Sequence, residues 1–314
     1  MAIHVNTDNF VRAETDRMFA DLQRDAGGVN RFLHSREPAA IDKQTVIRMN
    51  RDTLYSIAIV DVSQGASLTI PDHGDRYVSA MIVNEDHYVN AILHEPGEYP
   101  LTMQEHGTPY VAVAVRTLVD PTDPADLAAV AAIQDGYLLE AASARTFEMP
   151  DYDEASFTAT REGVLALAGG LSNYDRAFGR ADEVDPIRHL LGTAAGWGGL
   201  PREEATYLGG STAGDADSYE LVVRDVPVDG FWSVSVYNAQ GFFELNDRDA
   251  YTVNSITAAT EPDGSVVVRF GAGDAPNTIP IPDGWSYVVR LYRPRAEILD
   301  GSWTFPVATP VAAG

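Results

Sequence analysis

The run TLYSIAIVDV, Thr53 to Val62, decides the fold. It is rich in β-branched residues, and in its SIAIVDV portion both strand faces are apolar, the mark of an interior strand covered on two sides. YVAVAV, Tyr110 to Val115, has the same character. Between and around them lie TVIRM (45–49), ASLTIP (66–71), RYVSAMIV (76–83) and VNAIL (89–93), each a short strand signal. Turn clusters SQG, PDHGD, HEPGE and EHGTP separate them. Short strands at this spacing predict an antiparallel sandwich or barrel.

Outward from this block the period changes. Residues 6–24 read as a helix, with Asn6 or Thr7 as cap, Val11, Met18, Phe19 and Leu22 at helical spacing, and Gly27-Gly28 as its stop. A second helix is predicted from Asp123 as cap and Pro124 in the first turn, with Leu127, Val130, Ile133 and Tyr137 as its buried stripe. A third runs over about 153–167. GTAAGWGGLP (192–201) is glycine-rich without phosphate-loop or dinucleotide spacing, so it reads as a tight path around Trp197. Strand signals return from Asp217 in SYELVV, GFWSVSVYN, YTVNSI, SVVVRF and WSYVVRLY. In FWSVSVYN, Trp232, Val234 and Val236 alternate with Ser233 and Ser235, a half-buried strand with one polar face. PDG at 262–264 and 282–284 reads as turns. The organisation is therefore a helical segment (1–40), a β domain (41–120), a helical linking region (121–208) and a second β domain (209–314).

Composition narrows the function. At 314 residues, with 45% hydrophobic and 22% charged residues, the chain is an ordinary globular protein large enough for two cores. A net charge of −24 without a basic cluster argues against nucleic acid. No stretch reaches the roughly 18 apolar residues of a membrane span, and the N-terminus lacks the pattern of a secretory signal. The absence of cysteine removes disulfides, thiolate metal sites and thiol nucleophiles. A cytoplasmic location is the simplest account. Lys43 is the only lysine, so any Schiff-base chemistry would fall to it.

The common catalytic signatures are missing. GGSTAG fails as a nucleophile elbow because Ala213 replaces the second glycine, and zinc-helix, P-loop and EF-hand patterns do not occur. No nucleotide cofactor is expected. Two polar knots remain: Asn50-Arg51-Asp52-Thr53-Leu54-Tyr55, and Asn84-Glu85-Asp86-His87-Tyr88. In the first, an Arg-Asp pair at a strand edge could clamp a loop, Asn50 could close a turn, and Tyr55 could be a core ring. The second could be a charged strand end with a solvated His87. Against the bland reading of the first knot stands the density of Arg48, Asn50, Arg51 and Asp52 beside strands that must be buried, where unpaired polar groups are costly. Comparable candidates in the C-terminal β region are Tyr237, Asn238, Tyr251, Arg290 and Tyr292, with an exposed sheet face as the alternative. His34, His73, His106 and His189 read as surface or loop residues.

RMNRDTLYS, NEDHY, VAVRTLVDPTDPADLAAV, GWGGLP and PIPDGWSYVVRLYRPRAEILDGSWTFP together resemble a mostly bacterial family of paired domains of unknown function, numbered 1254 (N-terminal) and 1214 (C-terminal). The resemblance runs from about Lys43 to Pro306. It implies two jelly-roll-like antiparallel β-sandwich domains joined by helices, a mainly β fold with α insertions, and it brings no reaction with it. The resemblance also implies an export signal in many relatives; the N-terminus here lacks that pattern, which speaks against a periplasmic role.

The expectation is a cytoplasmic small-molecule enzyme using general acid-base chemistry, a lyase, isomerase or hydrolase, with its site in the N-terminal β domain. Arg51 would hold an anionic or carbonyl group and Asp52 would orient it. Glu85 with His87 would manage protons. Arg48, Asn50, Tyr55 and Tyr88 would bind and wall the substrate. A mononuclear metal held by His87 and nearby carboxylates is a variant of this reading. The competing class is a non-catalytic β module that binds glycan or protein. Convergence of Arg51, Asp52 and His87 on one pocket separates the two. Homo-oligomerisation is left open.

Overall fold

The computed structural model describes residues 2–44, 47–210 and 217–311. The chain is mainly β with helical insertions, and it divides into two compact units that are not consecutive in sequence. Unit 1 comprises 1–36, 54–118 and 125–202; unit 2 comprises 37–53, 119–124 and 203–314.

Unit 1 contains β1 (Leu33–His34), β2 (Thr53–Asp61, its first residue counted with unit 2), β3 (Ala66–Ile70), β4 (Val78–Asn84), β5 (Val89–Leu93), β6 (Gly97–Leu101), β7 (Tyr110–Leu118) and β8 (Leu138–Ala141). They form one sheet of order β1-β2-β7-β4-β5 and another of order β6-β3-β8. Every residue of β4 is buried, and it pairs antiparallel with β7 from Val78↔Thr117 to Asn84↔Val111. Val60, Ile82 and Val113 of the large sheet meet Leu68, Ile70 and Leu101 of the small one in a dry core. Each such buried side chain contributes about 1.5–3 kcal/mol, which fixes the alternation of the strands.

The helices of unit 1 are α1 (Phe10–Ala26), α2 (Met103–His106), α3 (Pro124–Asp135), α4 (Glu154–Ala168) and α5 (Pro186–Gly196). Helix α1 starts later than its sequence suggests: Asn9 sits at the cap position, and the main-chain bond from Ala13 N–H to Asn9 closes the first turn. Its end follows expectation, with Gly27 left-handed at φ 74° and its N–H returned to Arg24. Phe10 and Ala13 pack on Val164 and Ala168 of α4 and on Leu191 and Ala194 of α5. The helical stretch after β7 is thus a working part of unit 1.

Unit 2 is a second sandwich. It contains β9 (Ala205–Gly210), β10 (Ser218–Val223), β11 (Trp232–Tyr237), β12 (Thr252–Asn254), β13 (Val266–Gly271), β14 (Thr278–Ile279), β15 (Ser286–Tyr292), β16 (Thr309–Pro310) and the short α6 (Ala296–Leu299). The sheets run β14-β13-β10-β16 and β12-β11-β15-β9. Their inner faces bury Tyr219, Leu221, Val234, Val236, Phe270 and Val289.

Two expectations change here. Strand β11 is not half exposed: all six residues are buried, Ser233 and Ser235 completely. The reason is that Ile41 and Met49 pack with Tyr237, Phe243, Tyr251 and Val288 in a second core on the sheet's other face. Of the strand read at 45–49, Thr45 and Val46 lie outside the described residues, while Ile47 and Arg48 form a turn with Arg48 at φ 53°.

Candidate functional site

The knot at Asn50–Thr53 is a clamp within unit 2. Asn50 Oδ1 accepts the Asp52 N–H at 2.8 Å, and its amide donates to Thr53 Oγ1 at 3.2 Å and to the Tyr292 hydroxyl at 3.0 Å. Arg51 donates to the Ala39 carbonyl and lies 5.5 Å over the Tyr251 ring. Asp52 is fully buried; its Oδ1 accepts from Asn254 Nδ2 at 3.1 Å and Thr252 Oγ1 at 3.3 Å, while Oδ2 has no hydrogen-bond partner. Arg290 sits on the same face of the sheet, buried rather than exposed. It donates to Ser235 Oγ at 2.9 Å, the Tyr237 hydroxyl at 2.6 Å and the Arg48 carbonyl at 2.8 Å. Segment 37–53 is therefore stitched across the β12-β11-β15-β9 sheet. Arg48, Asn50, Arg51 and Asp52 serve that stitching.

The second knot belongs to unit 1, where it is the β4–β5 hairpin loop. Asn84 organises it: its Oδ1 accepts the N–H groups of Asp86 at 3.0 Å and Tyr88 at 2.9 Å. His87 occupies the left-handed position at φ 62°, uncommon for a residue with a β-carbon. This loop sends Glu85 and His87 to different neighbours.

His87 is completely buried between rings, with Trp197 at 5.2 Å and His189 at 5.4 Å. Its Nε2 accepts the Gly198 N–H at 2.9 Å, which leaves the proton on Nδ1, donated to Thr193 Oγ1 at 2.7 Å. Burial, aided by His189, holds the ring's pKa well below its usual value. Both nitrogens are engaged, so the neutral ring holds the hairpin on the α5 end. The glycines read as a path around Trp197 do this directly: Gly198 is left-handed at φ 75°, and a β-carbon on Gly199 would stand 2.3 Å from the Phe178 ring. Tyr88 stacks on His189 at 4.9 Å, and Tyr55 lies under the Arg116 guanidinium at 5.4 Å. His106 and His189 are buried rather than on the surface.

Glu85 faces a pocket. A cavity of about 580 Å³ in unit 1 is lined by Arg12, Asp16, Glu85, Tyr110, Arg145 and Phe147, among others. Glu85 Oε2 takes a 2.7 Å bond from Arg12, and Oε1 takes the Tyr110 N–H at 3.1 Å. Arg12 also holds Asp86 Oδ1 through Nε at 3.0 Å and Nη2 at 2.6 Å. One helical turn on, Asp16 is 3% exposed and accepts the Tyr152 hydroxyl at 2.7 Å. Burial pushes Glu85 up to about 7 against the pull of Arg12, and the charges of Asp16 and Asp86 add to the rise. Burial raises Asp16 as well. On the far wall Arg145 is anchored to the buried Asp61 and lies 5.6 Å over the Tyr110 ring. Among the described residues no group of three histidines or carboxylates is placed to hold a metal ion.

Of the residues singled out in the sequence, Tyr55, Glu85, His87 and Tyr88 lie in unit 1 and Arg48, Asn50, Arg51 and Asp52 in unit 2. Arg12, Asp16, Tyr110 and Arg145 were not foreseen. The one available signal was Arg12 and Asp16 at i and i+4 on a helix that also buries Glu14 and Thr15.

A two-sandwich chain with an acidic pocket on one sandwich is the class these observations define. The chain belongs to the family of paired domains of unknown function 1254 and 1214: residues 29–141 match the former and 205–296 the latter, both described as protein of unknown function. No curated protein matches it. Among solved structures it is similar to the VPA0106 protein from Vibrio parahaemolyticus, at 16% identity over 98% of both chains with a TM-score of 0.75. It is also similar to an uncharacterised protein from Burkholderia cenocepacia, at 14% identity over 95% of this chain and 86% of that one, TM-score 0.54. These likenesses extend the fold to both units. No helix is long and apolar enough to cross a membrane among the described residues.

Proposed function

We propose that the chain is a small-molecule enzyme whose general acid-base group is Glu85, at the pocket of unit 1. The observation that carries this is a buried carboxyl on the wall of a cavity large enough for a metabolite, where burial pushes it up to about 7. At that value Glu85 exchanges a proton in either direction near neutrality, as a lyase, isomerase or hydrolase requires. Arg12 and the Tyr110 N–H fix its two oxygens, so the carboxyl is oriented before substrate arrives. Asp16 is the second proton-handling group in this reading, and His87 positions the loop that carries Glu85. The residues of the first knot hold segment 37–53 in place.

The test is direct titration of the Glu85 carboxyl by carbon NMR on the full chain, assigned with Glu85→Gln. A midpoint near neutrality is expected. A midpoint in the ordinary carboxyl range, about 4.3, overturns the reading and leaves a β module with a charged cleft. Turnover of a metabolite panel should then vanish in Glu85→Gln with the fold intact.

A further inference from the structure

The charge around the pocket is unbalanced, and the imbalance has a sign. Two guanidinium groups, Arg12 and Arg145, stand among five carboxylates: Asp16, Glu85, Asp86, Asp61 and Glu148. Each guanidinium is already opposed. Arg12 lies between Glu85 and Asp86, and Arg145 is bound to Asp61. Neither offers an unopposed cation to an anionic ligand. Asp16 is different: it is 3% exposed, lines the pocket, and is met at hydrogen-bond distance only by the neutral Tyr152 hydroxyl at Oδ2. The charge of Arg12 reaches it across the pocket, but the hydrogen bonds of that guanidinium go to Glu85 and Asp86, so positive charge is short on this wall.

Apart from Thr146, the remaining walls are aromatic and apolar. Tyr110 and Phe147 meet edge to face at 5.3 Å, and Pro109 and Pro150 complete that side. A ring face attracts a cation and accepts hydrocarbon equally well. An inorganic cation would have no hydrocarbon to set against these rings, and no set of three ligands is placed for one among the described residues.

We propose that this pocket takes a small organic amine, its ammonium group against Asp16 and its hydrocarbon part against Tyr110 and Phe147; this names the substrate class for the acid-base site and rests on that reading. Burial raises both Asp16 and Glu85 toward their protonated forms. An arriving ammonium favours the ionised forms, so binding expels protons.

Calorimetric titration of the full chain with 2-phenylethylamine, 2-phenylethanol and phenylacetate, three probes of one shape, tests this. The amine is expected to bind saturably and at least about tenfold more tightly than the alcohol or the acid. Its heat should differ between phosphate and Tris buffers, by their ionisation enthalpies, because protons leave. Asp16→Asn, which keeps an acceptor for Tyr152, should lower amine affinity by about tenfold or more. Should that variant misfold, amine-induced shifts of the Arg12 Nε–H and Tyr110 N–H signals in the unaltered chain report the same contact. Tighter binding of the alcohol or the acid, or saturable binding by none of the three, overturns the proposal. If Glu85 still titrates near neutrality in that case, the acid-base reading stands alone. Amine binding that depends on Asp16, with Glu85 titrating as an ordinary carboxyl, is the reverse outcome: the site holds and the acid-base role falls.

Discussion

Replacing Glu85 with glutamine should make the protein more stable at alkaline pH and not at acid pH. Lifting this carboxyl from 4.5 to about 7, at about 1.4 kcal/mol for each tenfold in proton affinity, makes its ionised form cost about 3 kcal/mol in the folded chain. At 6% exposure the residue gains little screening from solvent. The sign follows from proton counting. Between about 4.5 and about 7 the folded chain keeps a proton that the unfolded chain has released, so stability falls as pH rises through this window and then levels. Glutamine keeps an acceptor for the Tyr110 N–H but cannot titrate. Asp16, raised in the same direction, contributes to both proteins and cancels to first order. Urea unfolding at stepped pH measures this, read from the fluorine signal of 5-fluorotryptophan at Trp197, the one tryptophan of the four that lies in unit 1. From about pH 4.5 to about pH 8 the unaltered chain should lose about 3 kcal/mol relative to Glu85→Gln. Parallel curves for the two proteins would refute the buried, proton-holding Glu85.

Two further outcomes follow from the clamps. Arg290→Met should destabilise unit 2 by at least about 3 kcal/mol, since the Tyr237 and Ser235 hydroxyls and the Arg48 carbonyl lose a charged donor inside the protein. Arg290→Lys should recover only part of this in the same denaturant titration, because an ammonium cannot reproduce the guanidinium fork. His87 works with the opposite pH sign to Glu85: its folded pKa is lowered, so its share of stability is present above the ordinary value of about 6.5 and is lost as pH falls below it. His87→Asn, which tolerates the left-handed backbone, should flatten that acid limb at Trp197, and an unchanged limb would assign it elsewhere.

The strands were legible because their signal is local. TLYSIAIVDV and YVAVAV announce two-sided burial in their own composition, and β2 and β7 lie beside each other in the large sheet. What local pattern could not show is which face a distant segment covers. β11 reads as half exposed because Ser233 and Ser235 are small and polar. They are buried because Ile41 and Met49, about two hundred residues earlier, pack on that face. The pocket was hidden for the same reason. Glu85 stands out in NEDHY, but its partner Arg12 lies 73 positions away on a helix whose apolar stripe gives no hint of it. His87 was conspicuous in sequence as a titratable group, and the fold uses it as a neutral one.

The two polar clusters invite comparison because they use the same chemical groups to different ends. Around Arg290 the donors and acceptors come mainly from hydroxyls and main-chain carbonyls, and one guanidinium faces one nearby carboxylate, Asp52. That is the economy of a structural clamp. Around Arg12 the balance fails: Asp16, Glu85 and Asp86 share a single guanidinium, and burial raises two of the three toward protonation. A network kept only for stability gains little from the third carboxylate beyond its bond from the Tyr152 hydroxyl, since an apolar residue at position 16 would remove a desolvation cost and a repulsion together. Keeping Asp16 makes sense where something else completes the charge. The same reasoning explains why the excess lies at the wall of a cavity, while the balanced cluster lies under a segment of the protein's own chain.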